Sequence, residues 1–246
     1  MRGLWQIVRF NWPFYAAAVA TFVVLELVSL RLPGGSLLRM SLMTVTTFTA
    51  IWFAGSLLAS WIVYDWSPLG RWEWIGKALG FRPGTWVNIH AGLDESTPSV
   101  RDLLAPSHGR VFDIFDPVEM SEPSIVRARR LCPPAVTPEP VDFHNLPATD
   151  ESIQAAFLLL SAHELRTEAA RDSLFGELHR VLSQSGRVVV AEHLRNWANF
   201  AAFGPGFLHF FSRRTWARCF ARASFVIDRE LSITPLIRVF VLRRSV

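Results

Sequence analysis

The chain has 246 residues, a formal net charge of +4 and a residue content that is half hydrophobic. This length allows one full domain with an appendage and excludes a long array of domains. Among the 25 basic residues only Lys77 is a lysine, and the arginines are scattered along the chain rather than grouped in a stripe, which argues against a nucleic-acid-binding protein and favours an acidic membrane surface as partner.

Two apolar runs open the chain. Residues 13–30 contain Glu26 as their only charge, and residues 41–64 contain none. At about 1.5 Å of helix rise per residue both runs are long enough to cross a bilayer, and the Pro-Gly-Gly break at 33–35 predicts a turn. We therefore predict a transmembrane helical hairpin over residues 1–64, with helices at about 13–30 and 41–64, that sits in the lipid bilayer and offers a surface for homo-oligomers.

Basic residues around the hairpin predict its orientation. Five lie outside the two apolar runs and two lie in the connecting loop, namely Arg2, Arg9, Arg71, Lys77 and Arg82 against Arg31 and Arg39. Cytoplasmic flanks carry the excess of basic residues. The pattern thus predicts a multi-pass protein of the cytoplasmic membrane, with both termini and the following domain in the cytoplasm.

Residues 65–84 are predicted to form an interfacial linker. Four apolar residues recur there at helical spacing ahead of Pro83, namely Leu69, Trp72, Ile75 and Leu79. Such a pattern is typical of a short amphipathic helix lying on the membrane surface.

From residue 85 the pattern changes to short apolar runs separated by helical stretches, which is typical of β-α units with a mostly parallel sheet. The predicted strands are 86–90, 109–115, 154–161 and 187–192, followed by a terminal pair, 225–233 and 236–243. The predicted helices are 122–131, 168–182 and 212–223.

One segment of this domain is specific enough to suggest a family. Over residues 178–190 a Leu-His-Arg-Val-Leu helix end passes through Ser-Gln-Ser-Gly into a valine-rich strand. Together with Leu146-Pro147, the apolar run ending near His163 and the terminal strand pair, this order of elements resembles the class I S-adenosylmethionine-dependent methyltransferases, of the type 11 kind, over residues 85–246. The resemblance implies an α/β domain with a doubly wound, seven-stranded, mostly parallel sheet that has an antiparallel C-terminal strand, and it implies S-adenosylmethionine as cofactor.

The resemblance also implies a cofactor site. The family has a glycine-rich loop after the first strand, and the corresponding positions here are Asn88, His90, Gly92 and Asp94. Gly92 is the one glycine retained, and Asn88 stands where the family has an acid. Asp116, after the second predicted strand, matches the acid that receives the ribose hydroxyls, and Asp142 matches the acid that receives the adenine amino group.

Polar residues follow the two later strands, and these are the candidate catalytic residues His163, Glu164, Glu192, His193, Arg195 and His209. The carboxyl ends of parallel strands meet at one edge of a sheet, so we expect these side chains to converge. A histidine there has a suitable pKa to take a proton from an O–H or N–H acceptor, and a carboxylate orients it. The alternative is that Arg166 and Arg195 form ion pairs with Glu164 and Glu192 and only stabilise the loops. A metal site from His163, His193, His209 and the acids is a further alternative, but no local pair has zinc spacing, so no metal site is predicted.

These observations favour a methyltransferase held at the inner face of a bacterial cytoplasmic membrane, where it would act on a lipophilic small-molecule acceptor. The sparse glycine loop leaves an alternative, in which the domain is a non-catalytic methyltransferase-like membrane scaffold or assembly factor. Both interpretations depend on whether the first loop leaves room for the cofactor.

Overall fold

The computed structural model describes residues 2–245, except for the side chain of Arg2. The chain divides into two compact units, the first ending at Trp66 and the second beginning at Ser67. Each unit has its own elements and its own pattern of apolar exposure.

The first unit consists of helices. They are α1 (Arg2–Phe10), α2 (Trp12–Arg31) and α3 (Leu37–Trp61), and a π-helical turn (Ile62–Trp66) follows. Helix α1 was not predicted from the sequence. Its first backbone N–H groups, those of Gly3 and Leu4, donate to the carboxylate of Asp65 at 3.1 and 2.9 Å, so a side chain distant in sequence caps the helix.

Helices α2 and α3 form an antiparallel hairpin. Tyr15, near the start of α2, meets Phe53, near the end of α3, edge to face with ring centroids 5.4 Å apart. Ser36 caps α3 by accepting a hydrogen bond from the Arg39 N–H. Both helical stretches are long and apolar enough to cross a membrane, and large apolar side chains such as Phe48 are exposed along them.

The second unit is built on a seven-stranded sheet in the order β3-β2-β1-β4-β5-β7-β6. The strands are β1 (Thr85–His90), β2 (His108–Asp113), β3 (Glu139–Pro140), β4 (Ile153–Leu159), β5 (Leu182–His193), β6 (Phe225–Thr234) and β7 (Ile237–Arg244). Neighbours among β1 to β5 pair in parallel, whereas β7 is antiparallel to both β5 and β6. This arrangement confirms the predicted fold class.

Six α-helices accompany the sheet: α4 (Trp74–Leu79), α5 (Thr97–Leu104), α6 (Pro123–Leu131), α7 (Glu168–Val181), α8 (Trp197–Phe203) and α9 (Arg213–Arg222). The core lies between sheet and helices. The central strand β4 is apolar and buried on both faces, as parallel sheets require. Phe175 of α7 contacts both Trp216 and Phe220 of α9 through ring edges, which fixes these two helices on one face.

The structure corrects the prediction of a helix lying on the membrane surface. Leu69, Trp72, Ile75 and Leu79 are at most 6% exposed, so their apolar face packs against protein rather than lying on a membrane surface. Helix α4 packs against β5, and the guanidinium of Arg229 in β6 donates to the carbonyls of Lys77 and Leu79 at 3.3 and 2.9 Å. Apolar residues at helical spacing fit either environment, and here the sheet supplies the partner.

Candidate active site

The parallel strands β1, β2, β4 and β5 all end at one side of the sheet, which we call the carboxyl edge. The chain leaves β1 toward β2 on one side and later returns to β4 on the other, so the order of strands reverses between β1 and β4. Ligands of open α/β sheets bind at such switch points. Ser161, in the loop after β4, donates its hydroxyl to the carbonyl of Ile89 in β1 at 2.8 Å, so the loops of the two strands lie together.

The loop after β1 is held by its own side chains. Asn88 is buried, and its amide donates to the hydroxyls of Ser96 and Thr97 at 2.9 and 2.7 Å. One carboxylate oxygen of Asp94 accepts from the backbone N–H groups of Ser96 and Thr97 at 3.1 and 3.0 Å. Asn88 and Asp94 therefore fix the start of α5, which explains why this segment is ordered with a single glycine.

His90 is the last residue of β1 and is 3% exposed. Its Nδ1 accepts a hydrogen bond from the Gly92 N–H at 3.1 Å and lies 3.8 Å from a carboxylate oxygen of Asp113, its register partner at the end of β2. Burial lowers the pKa of His90, and the neighbouring Asp113 offsets this only in part. The lowered pKa favours the neutral imidazole.

A second cluster follows β4 and β5. The Nδ1 of His163 lies 2.7 Å from Oε2 of Glu192, and the other oxygen of Glu192 accepts the His163 backbone N–H at 3.2 Å. The Nε2 of His163 lies 3.4 Å from Glu164. Burial opposes a charged imidazole, but the two carboxylates outweigh it and raise the pKa of His163 to about 10. The predicted residues His163, Glu164 and Glu192 therefore form one contact group.

His209 joins this group from the 3₁₀-helix that follows α8, Gly204–His209. Its ring meets that of His163 edge to face at 5.1 Å between centroids. Burial, and then the charge of His163, lower the pKa of His209 to about 4. The guanidinium of Arg166 donates to the carbonyls of both His163 and His209 at 2.9 and 2.7 Å, which joins the two backbone segments.

His193, the last residue of β5, lies beside the cluster and not within it. Its Nδ1 is 3.0 Å from the side-chain oxygen of Asn199 and 3.1 Å from the carbonyl of Leu236. Since both are acceptors, Nδ1 carries the proton. The ring stacks on Phe210 at 4.7 Å, and burial lowers the pKa of His193 to about 4. Phe210 thus separates His193 from His163.

No protein-family model and no curated protein sequence matches the chain, whereas its fold matches many solved structures. A methyltransferase dependent on S-adenosylmethionine from Aquifex aeolicus superposes with a TM-score of 0.52 at 16% identity, over 70% of this chain and 92% of that one. Geranyl diphosphate C-methyltransferase from Streptomyces coelicolor gives 0.51 at 14% identity, over 70% and 78%. The pyocyanin biosynthetic protein PhzM gives 0.53 at 20% identity, over 71% and 54%.

The second unit has the class I methyltransferase fold.

At the carboxyl edge of β1 and β2 the sequence analysis missed one residue. Asp113, the last residue of β2, is buried and accepts a hydrogen bond from the Phe115 N–H at 3.1 Å. The apolar pattern predicted a strand that extends to residue 115, and the ribose contact was therefore assigned to Asp116, the next acid. The signal available in the sequence was the position of Asp113, an acid directly after the apolar residues Val111 and Phe112.

Asp116 and Asp142 shape turns. One oxygen of Asp116 accepts from the backbone N–H of Val118 at 2.7 Å. Asp142 lies beyond the end of β3, is exposed, and accepts from the N–H of His144 at 2.8 Å. Both carboxylates are on the carboxyl side of their strands, and the contact each makes is with its own loop.

Arg129 of α6 covers the loop after β1 in the second unit. Its guanidinium pairs with Asp113 at 2.6 Å and lies 4.2 Å above the ring of Phe115. A methyl group built on Gly92 would come within 2.5 Å of the Arg129 side chain. The place where a glycine would let a ligand approach the backbone is therefore taken by one long side chain.

Arg195, predicted in the catalytic group, is not brought into it. It is exposed, and its guanidinium donates to the carbonyls of Phe210 and Leu208 at 2.8 and 2.6 Å. Neither Arg195 nor Arg166 forms an ion pair with Glu192 or Glu164 among the described contacts. Arg195 instead fixes the segment that carries His209.

A patch of apolar side chains adjoins the cluster and was missed by the sequence analysis. Helix α8 and the 3₁₀-helix after it expose Trp197, Phe200 and Leu208, by 83%, 41% and 56%. Phe200 and Phe207 contact each other edge to face at 5.1 Å. This apolar patch precedes His209 and Phe210 directly in the chain, so an apolar surface leads to the polar cluster.

Proposed function

We propose that the protein is a membrane-anchored S-adenosylmethionine-dependent methyltransferase that acts on a lipophilic acceptor at the cytoplasmic face of the membrane. The proposal joins the fold of the second unit to three features of the chain. These are unpartnered polar groups on the cofactor side, a histidine–carboxylate cluster on the acceptor side, and apolar surface in both units.

The observation that carries the proposal is a set of buried polar atoms without partners. Seven such side-chain atoms occur in the described residues, and four lie at the carboxyl edge, namely Oδ1 of Asn88, Nε2 of His90, Oδ2 of Asp94 and Oε2 of Glu164. Orphaned buried groups are costly and call for an explanation. The cofactor carries an ammonium group, a carboxylate and ribose hydroxyls, so the three groups of β1 and its loop, Asn88, His90 and Asp94, fit its amino-acid end, whereas Glu164 belongs to the cluster after β4.

Binding requires that Arg129 move. Asp113 is placed to accept hydrogen bonds from ribose hydroxyls, but Arg129 holds that carboxylate in the described conformation. The side chain of Arg129 is 34% exposed, so its ion pair with Asp113 is worth about 1 kcal/mol or less. A ligand that replaces this contact with its own hydrogen bonds can displace the arginine.

When bound, S-adenosylmethionine supplies an electrophilic methyl group on a sulfonium. The chain's residues would align the acceptor with it and hold the acceptor's polar group, which is the main requirement of an in-line displacement. His163, Glu164 and His209 are the groups placed for that contact. His193 and Phe210 would form the wall behind them.

A lipophilic acceptor is supported by where apolar surface is exposed. The patch of Trp197, Phe200 and Leu208 leads to the cluster, and the first unit contains two helices able to cross a membrane. Exposed apolar patches mark binding sites for lipids or apolar ligands. The methyltransferase from Streptomyces coelicolor with this fold has geranyl diphosphate bound, so the architecture accommodates an acceptor with a prenyl chain.

The test uses the full chain in detergent. Calorimetry with S-adenosylhomocysteine should show one site, and labelled methyl groups from S-adenosylmethionine should enter the organic phase of a membrane lipid extract. Trp197→Ala and Leu208→Ala should raise the KM for the extracted acceptor and leave S-adenosylhomocysteine affinity unchanged. Leu231→Ala, which alters an exposed apolar residue of the edge strand β6, should change neither. Label found only in water-soluble products would refute the lipophilic acceptor.

A second candidate function is favoured by the covered first loop. If Arg129 and Asp113 close the edge permanently, the unit is a non-catalytic scaffold with the methyltransferase fold. Arg129→Ala decides between the two: an enzyme should bind S-adenosylhomocysteine more tightly once the loop is uncovered. Absence of binding in both the wild type and Arg129→Ala at millimolar ligand would leave the scaffold as the remaining function.

A further inference from the structure

Three side chains of the acceptor-side cluster have the geometry of metal ligands. One ligand atom each from His163, Glu164 and His209 lies within 4.8 Å of the others. The Nε2 of His163 and Oε1 of Glu164 are 3.4 Å apart. Two ligands each about 2.0–2.1 Å from a tetrahedral ion are separated by about 3.4 Å, so this pair already has the spacing that zinc requires.

The groups around these three residues are those expected next to metal ligands. A ligating histidine usually donates its second ring N–H to a carboxylate, which fixes the ring and its tautomer. Glu192, fully buried, lies 2.7 Å from Nδ1 of His163 and leaves Nε2 for the ion. Glu122 lies 3.7 Å from Nδ1 of His209. His163 therefore has the carboxylate partner expected of a metal ligand, whereas Glu122 lies beyond hydrogen-bond distance of His209.

An independent observation points to a missing ligand at this place. The second oxygen of Glu164, Oε2, is buried and has no hydrogen-bond partner, and the residue as a whole is 8% exposed. Arg166, the nearest cation held by the same segments, donates to the two histidine carbonyls and lies over the ring of Phe211 at 4.8 Å. Arg166 thus holds the two backbone segments that carry the ligands. Among the described contacts, no guanidinium pairs with Glu164.

We propose that His163, Glu164 and His209 bind one divalent transition-metal ion of the zinc class, with Glu192 orienting His163. Two imidazoles with one carboxylate select such ions over Mg²⁺ and Ca²⁺, which prefer oxygen ligands. Three protein ligands leave a coordination position for water or for an oxygen of a substrate, as in catalytic zinc sites. The sequence analysis predicted no metal because His209 is far along the chain from the adjacent pair His163 and Glu164.

Metal binding is measured directly, without cofactor or acceptor, so the result is independent of the proposed methyl transfer. The full chain in detergent is stripped with a chelator and titrated with Zn²⁺ by calorimetry and with Co²⁺ by absorption. We expect one ion per chain, visible Co²⁺ ligand-field bands, and no displacement by millimolar Mg²⁺. His209→Ala and Glu164→Gln should weaken Zn²⁺ binding by more than about tenfold, and Glu192→Gln by about 10–100-fold.

The control is His108→Ala, which removes an exposed histidine at the start of β2, at the opposite end of the sheet. It should bind Zn²⁺ as the wild type does. Glu164→Gln is isosteric and His209 is partly exposed, so a thermal unfolding scan will show that both variants fold. The proposal is overturned if the wild type binds no Zn²⁺ at millimolar concentration, or if His209→Ala and Glu164→Gln bind it with wild-type affinity.

Discussion

The carboxyl edge of the sheet contains two buried histidine–carboxylate pairs, and the pKa values of the two histidines are shifted in opposite directions. At β1 and β2, His90 faces Asp113 at 3.8 Å and its pKa is lowered by burial. At β4 and β5, His163 faces Glu192 at 2.7 Å and its pKa is raised to about 10 despite burial. The pKa of a buried histidine beside a carboxylate is therefore lowered in one place and raised in the other.

Burial is the largest cause of the lowered pKa of His90, and a third partner at each pair adds to the difference. Arg129 pairs with Asp113, so the carboxylate that would favour protonation of His90 is already compensated, and the charge of Arg129 itself lowers the pKa of His90. At the other pair a second carboxylate, Glu164, adds to Glu192. The comparison teaches that the end of β1 and β2 is closed by an added cation, whereas the cluster after β4 and β5 carries excess negative charge able to hold one.

The largest expected effect comes from removing the carboxylate of the charged pair. Glu192→Ala leaves His163 buried without its main partner, and breaking a buried pair costs about 3–5 kcal/mol of stability. Urea unfolding of the detergent-solubilised chain, after treatment with a chelator, measures this change. Asp150→Ala removes an exposed partner of Arg180 and should cost about 1 kcal/mol or less. Equal losses in the two variants would show that Glu192 and His163 are not the strongly coupled pair.

The next effect concerns the cofactor side and compares two nearby acids. Asp113→Asn should weaken S-adenosylhomocysteine binding by roughly 10–100-fold, because hydrogen bonds to a charged group contribute about 1.5–3 kcal/mol. Asp116→Asn should leave the affinity unchanged, because that carboxylate caps its own turn. Calorimetry on both variants decides which acid receives the ribose, and the reverse order of effects would restore Asp116 to that role.

Much of the fold was predictable because the spacing of apolar residues in the sequence agrees with the residues that the structure buries. The apolar runs at β1, β4 and β5, the amphipathic α7 and the terminal strand pair all show in the sequence. Helices α5 and α8 and the two-residue β3 were missed. α5 buries Thr97, Val100 and Leu104 at helical spacing but has only eight residues, and α8 has seven, so each is too short to show a clear helical period.

The site was predictable only where its residues follow strand ends. His163, Glu164 and Glu192 were found because parallel strands end at one edge. Asp113 was missed through a two-residue error in the end of β2. Arg129 and the apolar patch of α8 were missed because their roles arise from tertiary approach to Gly92 and His209, which no local pattern encodes.

The smallest effect is the most direct test of the comparison. Arg129→Ala removes the cation that compensates Asp113, so the pKa of His90 should rise toward the ordinary value for histidine. NMR titration of the imidazole resonances of the full chain measures this shift. Stability should change by about 1 kcal/mol or less, since the ion pair is partly exposed.

Arg130→Ala is the matched control for this titration. Arg130 lies next to Arg129 on α6, carries the same charge and is exposed, so its removal changes the net charge equally without touching Asp113. The pKa of His90 should stay lowered in this variant. If Arg129→Ala also leaves the pKa of His90 lowered, then burial alone keeps this imidazole neutral, and the third partner would not explain why the two pairs differ.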